Sequence, residues 1–144
     1  MIASWPGQIK AGTRSDHLSA FWDVFPTFAS LAGAETPADI DGISMVPTLL
    51  GLGEQPEHEF LYWEFHKRGG RQAVRRGPWK AVRYNVKKDP DSTVELYNLT
   101  NDPGEQNNVA AEHPQEEQEL REIMNVARTP SAVFSFGQEA FKGE

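Results

Sequence analysis

The alternation of apolar and polar positions changes character near residue 59. Before it, apolar residues come in short groups set among turns. Met1 to Trp5 (MIASW) is a short apolar run that predicts a buried strand, ended by Pro6-Gly7. Residues 9–14 read as loop. Asp23 then offers a helix N-cap, with Pro26 in the first turn, where a missing N–H costs little. Val24, Phe28, Leu31 and Ala32 form the helical stripe, Gly33 is placed to stop it, and Pro37 lies beyond. Residues 34–58 are rich in turn formers (Asp41-Gly42, Pro47, Gly51, Gly53, Pro56) and predict a loop with one helical turn around Val46 to Leu50.

After residue 59 the period shortens to two. Phe60–Phe65, Gln72–Arg75, Trp79–Tyr84 and Val94–Leu99 read as four strands, with Gly69-Gly70 a flexible tip and Arg76-Gly77-Pro78 a hairpin turn. A helix follows, with Pro114 at its first position and Glu116 and Glu117 near its positive end. Leu120, Ile123, Met124 and Ala127 fall at i, i+3, i+4 and i+7, so one face is apolar; Arg128 closes the helix and Pro130 stops it. The predicted class is α+β: a four-stranded antiparallel sheet with a C-terminal helix across one face, preceded by a strand-helix-loop segment. The division is 1–58, 59–128 and a tail, 129–144, whose Phe134, Phe136 and Phe141 predict packing or partial order. A lone strand and helix in residues 1–58 bury too little apolar surface to stand by themselves, so that segment reads as part of something larger.

Charge modifies this picture locally. The net charge is −7, yet Phe65 to Lys88 holds nine Lys or Arg and no acid, while Asp102 to Glu122 holds seven acids and one base. A globally acidic chain with one basic strip is a poor match to duplex nucleic acid, which asks for a large positive footprint. The strip reads either as a solvated sheet face answered by the acidic helix or as a patch for a small anion or acidic sugar. No apolar run reaches the roughly 20 residues of a membrane span, so no membrane partner is expected. Residues 1–12 lack the apolar core of a signal peptide. The chain has no cysteine, which excludes disulfides, thiolate zinc sites and cysteine nucleophiles.

Chemistry-bearing constellations are sparse. G-x-S-x-G, P-loop, G-x-G-x-x-G and H-E-x-x-H patterns do not occur, and His17, His58, His66 and His113 have no ligand spacing. Glu116, Glu117, Glu119 and Glu122 belong to the polar face of the helix, and Asp89 and Asp91 flank Pro90 with too few oxygen ligands for a calcium loop. No metal site is expected. The candidate binding stretch is His66-Lys67-Arg68-Gly69-Gly70-Arg71-Gln72, a tip carrying an imidazole, three cations and an amide. Arg71 and Arg68 offer bidentate donors to sulfate-like oxygens, and Lys67 offers a point charge. His66, Lys67, Arg68, Arg71 and Gln72 are therefore the tentative substrate-binding residues, against the alternative of a solvated hairpin tip.

Several short signatures then resemble the C-terminal region of formylglycine-dependent sulfatases (arylsulfatase or N-acetylgalactosamine-6-sulfatase-like, alkaline-phosphatase-like superfamily). They run in order: MIASWPGQIKAG; Asp23-x-x-Pro26-Thr27 with Leu31-Ala32-Gly33; Asp41-Gly42-x-Ser44 with Pro47 and Leu49; Arg75-x-Gly77-x-Trp79-Lys80; Glu95-Leu96-Tyr97-Asn98-Leu99; and Asp102-Pro103-x-Glu105-x-x-Asn108. Asn98 stands where the family usually has Asp. The resemblance covers residues 1–128 and implies that residues 1–58 are the remnant of a larger α/β sulfatase domain, with 59–128 its antiparallel subdomain. It implies a parent that hydrolyses sulfate esters using calcium and a formylglycine made from a C/S-x-P-x-R motif, and a periplasmic or secreted location for that parent. This sequence has no such motif, so no catalytic or metal-binding residue carries over, and the chain alone is expected to be inactive, with no cofactor of its own. Its implied partners are the missing N-terminal catalytic domain and a sulfated carbohydrate or aryl sulfate; self-association through an exposed N-terminal half is also expected. The competing reading is a free-standing polyanion or sulfated-carbohydrate binding module using the basic strip 66–88.

Overall fold

In a computed structural model, which describes residues 1–129 and 131, the chain divides into two units, Met1–Glu59 and Phe60–Glu144. The expected tail packing of Phe134, Phe136 and Phe141 lies outside the described residues.

In the first unit a 3-10 turn, Phe21–Asp23, leads into α1 (Val24–Ala32), and a short α2 (Val46–Leu50) follows a loop. Gly33 closes α1 in the left-handed conformation (φ 67°), which a residue without Cβ adopts at little cost. Residues 1–5 do not form the expected strand; they have no regular secondary structure and are exposed. A strand is held by ladder hydrogen bonds to a neighbour, and no described strand runs beside this one.

The first unit is held by polar groups more than by a broad core. The Asp23 carboxylate is fully buried and accepts hydrogen bonds from the Ala20 N–H (2.6 Å) and the Ile43 N–H (2.8 Å), and its Oδ1 lies 2.8 Å from His58 Nε2. Thr27, also buried, donates to the Asp23 carbonyl (2.6 Å) and accepts from the Met45 N–H (2.9 Å). Asp23 and Thr27 thus fasten the 40–45 loop onto α1. Gly42 completes the fit: a Cβ there would come 2.9 Å from Pro26 Cγ and closer still to the Trp22 carbonyl oxygen.

The second unit contains the sheet: β1 (Leu61–Phe65), β2 (Arg71–Arg76), β3 (Trp79–Tyr84) and β4 (Val94–Asn98), antiparallel in the order β1-β2-β3-β4. α3 (Pro114–Val126) packs across β2, β3 and β4. Val74, Ala81, Val94 and Leu96 meet Leu120 and Met124 in a core flanked by Tyr62, Trp79 and Ile123, so the apolar stripe read from the sequence is the stripe that is buried. The four-stranded antiparallel sheet and its helix are therefore as expected. Strand alternation sends successive side chains to opposite faces. Tyr62, Glu64, Gln72, Val74, Ala81 and Arg83 fall on the helix face by register; Trp63, Phe65, Arg71, Lys80, Val82 and Tyr84 fall on the other.

Candidate functional site

The tip between β1 and β2 is built from three consecutive left-handed residues, Arg68 (φ 52°), Gly69 (φ 85°) and Gly70 (φ 80°). Its carbonyls are tied to the β3–β4 connection: the Val86 N–H donates to the Gly70 carbonyl (3.3 Å) and the Lys87 N–H to the Gly69 carbonyl (3.0 Å). Two loops far apart in sequence thereby meet at one end of the sheet. They bring exposed Lys67 and Arg68 to the same end as exposed Lys87 and Lys88, and none of the four is ion-paired among the described residues.

The five candidate residues do not converge on one point. β2 begins at Arg71, so Arg71 and Gln72 project to opposite faces. Gln72 is buried against the helix side, where its amide donates to the Tyr62 hydroxyl (2.8 Å), which donates in turn to Glu64 Oε1 (2.7 Å). His66 Nε2 lies 3.3 Å from Glu64 Oε2, and Arg128 Nε lies 2.9 Å from Glu64 Oε1. Glu64 is thus the hub of a network linking β1, β2 and the end of α3. Burial, and then the hydrogen bond to Glu64, push the Tyr62 phenol above its ordinary pKa.

Arg71 sits on the other face, where its cross-strand neighbours are Phe65 on β1 and Tyr84 on β3. Its guanidinium carbon lies 6.0 Å from the Phe65 ring centre and 5.1 Å from that of Tyr84, both within cation–π range. Its Nε is buried and without a hydrogen-bond partner, and no carboxylate pairs with it among the described residues. These groups line a shallow cavity of about 330 Å3 together with Trp63, Lys80 and Glu105. Lys80 Nζ donates to both carboxylate oxygens of Glu105, at 2.6 and 2.7 Å. Sequence reasoning missed Trp63, Phe65, Tyr84 and Glu105; the cross-strand register that gathers the rings around Arg71 is the signal that could have found them.

The basic strip is not one surface. Arg83 is buried and donates to the Pro90 carbonyl (2.8 Å) and to Asn125 Oδ1 on α3 (3.2 Å). Burial, and then the neighbouring Arg121, lower its pKa. Arg76 pairs with Glu119 (3.3 Å), and Lys80 with Glu105. A continuous polyanion track along 66–88 is therefore not supported: alternation and pairing divide its charges between two faces. Among the described residues no three His, Cys, Asp or Glu side chains come together in a group that could hold a metal ion. No helix of the described residues is long and apolar enough to cross a membrane.

The recurring signatures act as fasteners. Asp102 Oδ2 accepts from the N–H groups of Gln106 (2.7 Å) and Asn107 (2.8 Å), and Asn108 Oδ1 accepts from the Leu96 N–H (3.0 Å). Lys80 and Glu105 join the third-strand signature to the Asp-Pro signature. Asn98 Oδ1 accepts from the Thr100 N–H (3.1 Å), as an Asp oxygen in its place would, which accounts for the exchange.

This α+β unit, with its ordered fasteners, is of the class found at the C-terminal end of sulfatases. The chain belongs to the family described as N-sulphoglucosamine sulphohydrolase, C-terminal, whose profile matches residues 1–129. It is 30% identical to human arylsulfatase A, over 99% of this chain and 33% of that protein. It is 31% identical to an N-acetylglucosamine-6-O-sulfatase of Bacteroides thetaiotaomicron, over 86% of this chain and 24% of that protein. A solved structure described as in complex with its substrate, D-glucosamine-2-N,6-O-disulfate, superposes with a TM-score of 0.70 at 28% identity, over 85% of this chain and 26% of that one. The chain thus spans about a quarter to a third of the length of these relatives.

Proposed function

We propose that this chain is the non-catalytic C-terminal part of a sulfuric ester hydrolase acting on a sulfated carbohydrate. It supplies scaffold and one wall of the substrate cleft, and it is inactive by itself. The observation that carries the reading is the family match over residues 1–129, set against coverage of only 33% of arylsulfatase A and 24% of the N-acetylglucosamine-6-O-sulfatase. It is supported by the absence of any cysteine or C/S-x-P-x-R sequence from these 144 residues. The parent's formylglycine and calcium, and the residues that hold them, then belong to the partner portion, the N-terminal catalytic domain. The carbohydrate reading is supported by two relatives whose descriptions carry a sugar, the N-acetylglucosamine-6-O-sulfatase and the structure with D-glucosamine-2-N,6-O-disulfate; arylsulfatase A, aligned over 99% of this chain, supports an aryl sulfate as the second reading.

Within this reading His66, Lys67, Arg68 and Arg71 rim the cleft, and Gln72 supports the rim from behind through Tyr62. Purified as it stands, the chain should release no 4-nitrophenol from 4-nitrophenyl sulfate above the uncatalysed rate; measurable turnover would overturn the assignment. In the full-length parent, Lys67→Ala and Arg68→Ala should raise KM for a sulfated sugar several-fold at unchanged thermal midpoint. An unchanged KM for both would remove the tip from the cleft.

A further inference from the structure

We infer that the cavity around Arg71, on the sheet face opposite α3, is a subsite for an anionic pyranose: it takes a carboxylate or sulfate on the sugar chain other than the ester being cleaved. The inference deepens the proposed function by naming the part of the ligand this chain holds, and it takes its ligand class from that reading.

Arg71 carries the argument. The other arginines of the sheet each have a polar partner: Arg75 Nε donates to the Gly77 carbonyl, Arg76 pairs with Glu119, and Arg83, whose Nε is also without a partner, is bound through Nη1 to Pro90 and Asn125. Among the described residues, the contacts holding the Arg71 guanidinium are the rings of Phe65 and Tyr84, and its buried Nε has no acceptor. A buried donor of a charged group left unsatisfied carries a desolvation penalty, which an acceptor on a ligand would relieve. Flanking rings strip water from the guanidinium and fix its plane, which prepares its terminal N–H groups for bidentate contact with a planar or tetrahedral oxyanion.

Two further observations select a sugar over a bare anion. Trp63, Phe65 and Tyr84 present aromatic surface to the same cavity, and such surface packs against the C–H face of a pyranose. Beside them, the fixed Lys80–Glu105 pair offers a donor and an acceptor side by side, the combination that hydroxyl groups require. Glu105 is taken up by Lys80, and no carboxylate lies within ion-pair distance of Arg71 among the described residues. Around the same end of the sheet, Lys67, Arg68, Lys87 and Lys88 outnumber Asp89 and Asp91, and the local field favours an anionic chain.

The test is a titration of the 144-residue chain, followed by amide and indole NMR shifts and by calorimetry. The probes are a 6-O-sulfated, uronate-containing disaccharide, neutral lactose, and inorganic sulfate. The charged disaccharide should bind, with shifts concentrated at the Trp63 indole and the Arg71 and Tyr84 amides, and lactose and sulfate should each bind at least about ten-fold more weakly. Arg71→Gln should lose about ten-fold or more in affinity. Arg71→Lys, which keeps the charge but not the fork, should lose part of it, with the thermal midpoints of both variants checked against the parent chain. Undiminished binding by Arg71→Gln, equal binding of sulfate and disaccharide, or no binding of the disaccharide would each overturn the subsite. Because the readout is binding by this chain, failure here leaves the sulfate-ester reading standing; that reading falls only on the turnover measurements above.

Discussion

At the residue scale, Asp23 shows how a charged side chain earns a place in an interior. A buried carboxylate is tolerated when its oxygens are filled. Here both are, by two backbone N–H groups and His58. The same contacts join three segments, residue 20, the 43–45 loop and residue 58, that no apolar cluster brings together. Asp23→Ala would leave two amide donors and an imidazole without their acceptor. At about 1–3 kcal/mol for each stranded buried group, the first unit should lose about 3 kcal/mol or more. The expected outcome is loss of hydrogen-exchange protection at the Ile43 and Met45 amides, while the amides of β2 and β3 keep theirs. Protection unchanged at Ile43 would show that the carboxylate does not hold the loop.

At the element scale, the sheet is secured on one side by the apolar stripe of α3 and along its strands by phenol–carboxylate pairs. Tyr62 donates to Glu64 two residues on, and Tyr97 to Glu95 two residues back. Burial first, and the bonded carboxylate next, raise the pKa of both phenols above the ordinary value near 10. The folded-state pKa values lie above those of the unfolded chain. The phenols' contribution to stability is therefore complete below about pH 10 and is lost as the pH climbs through the folded-state values. The urea midpoint of the sheet unit should hold steady to about pH 9.5 and then fall. Tyr62→Phe should lower the midpoint at neutral pH and flatten the alkaline decline; an equally steep decline in that variant would assign it to other groups. Much of this architecture was legible in the sequence. Alternation gave β3 and its partners to within a residue or so, and the spacing of Leu120, Ile123 and Met124 gave the buried face of α3. The site was less so. Residues 66–72 read as one tip because Gly69-Gly70 obscures where pairing resumes; pairing resumes at Arg71, and that one position sends Arg71 and Gln72 to opposite faces. Phe65 and Tyr84 flank Arg71 only through the register of three strands, which no local pattern encodes. Met1 to Trp5 misled because apolar spacing marks a segment suited to a strand but supplies no neighbour to bond it.

At the scale of the whole molecule, the first unit presents apolar surface that its own elements do not cover. Phe21, Phe25 and Phe28 follow one another at i, i+4 and i+7 through the 3-10 turn and α1, so they share a face, and they are 89, 56 and 65% exposed. Ile2 is 98% exposed. Scattered apolar residues are ordinary on a surface, but three large rings on one helical face amount to a contiguous patch of the kind that monomers rarely leave in water. The interior of the unit explains why the helix nevertheless keeps its shape: Asp23, Pro26 and Thr27 on its other side are buried and bonded, and none of those contacts involves a phenylalanine ring. Stability and stickiness are therefore separable in α1. The chain should self-associate, with a sedimentation-derived mass that rises with concentration. Replacing all three residues, Phe21→Ser, Phe25→Ser and Phe28→Ser, should shift it toward monomer while leaving the Ile43 and Met45 amides protected. A wild-type chain that sediments as a single monomeric species across the concentration range would refute the association. A triple variant still as associated as the parent would move it to another surface.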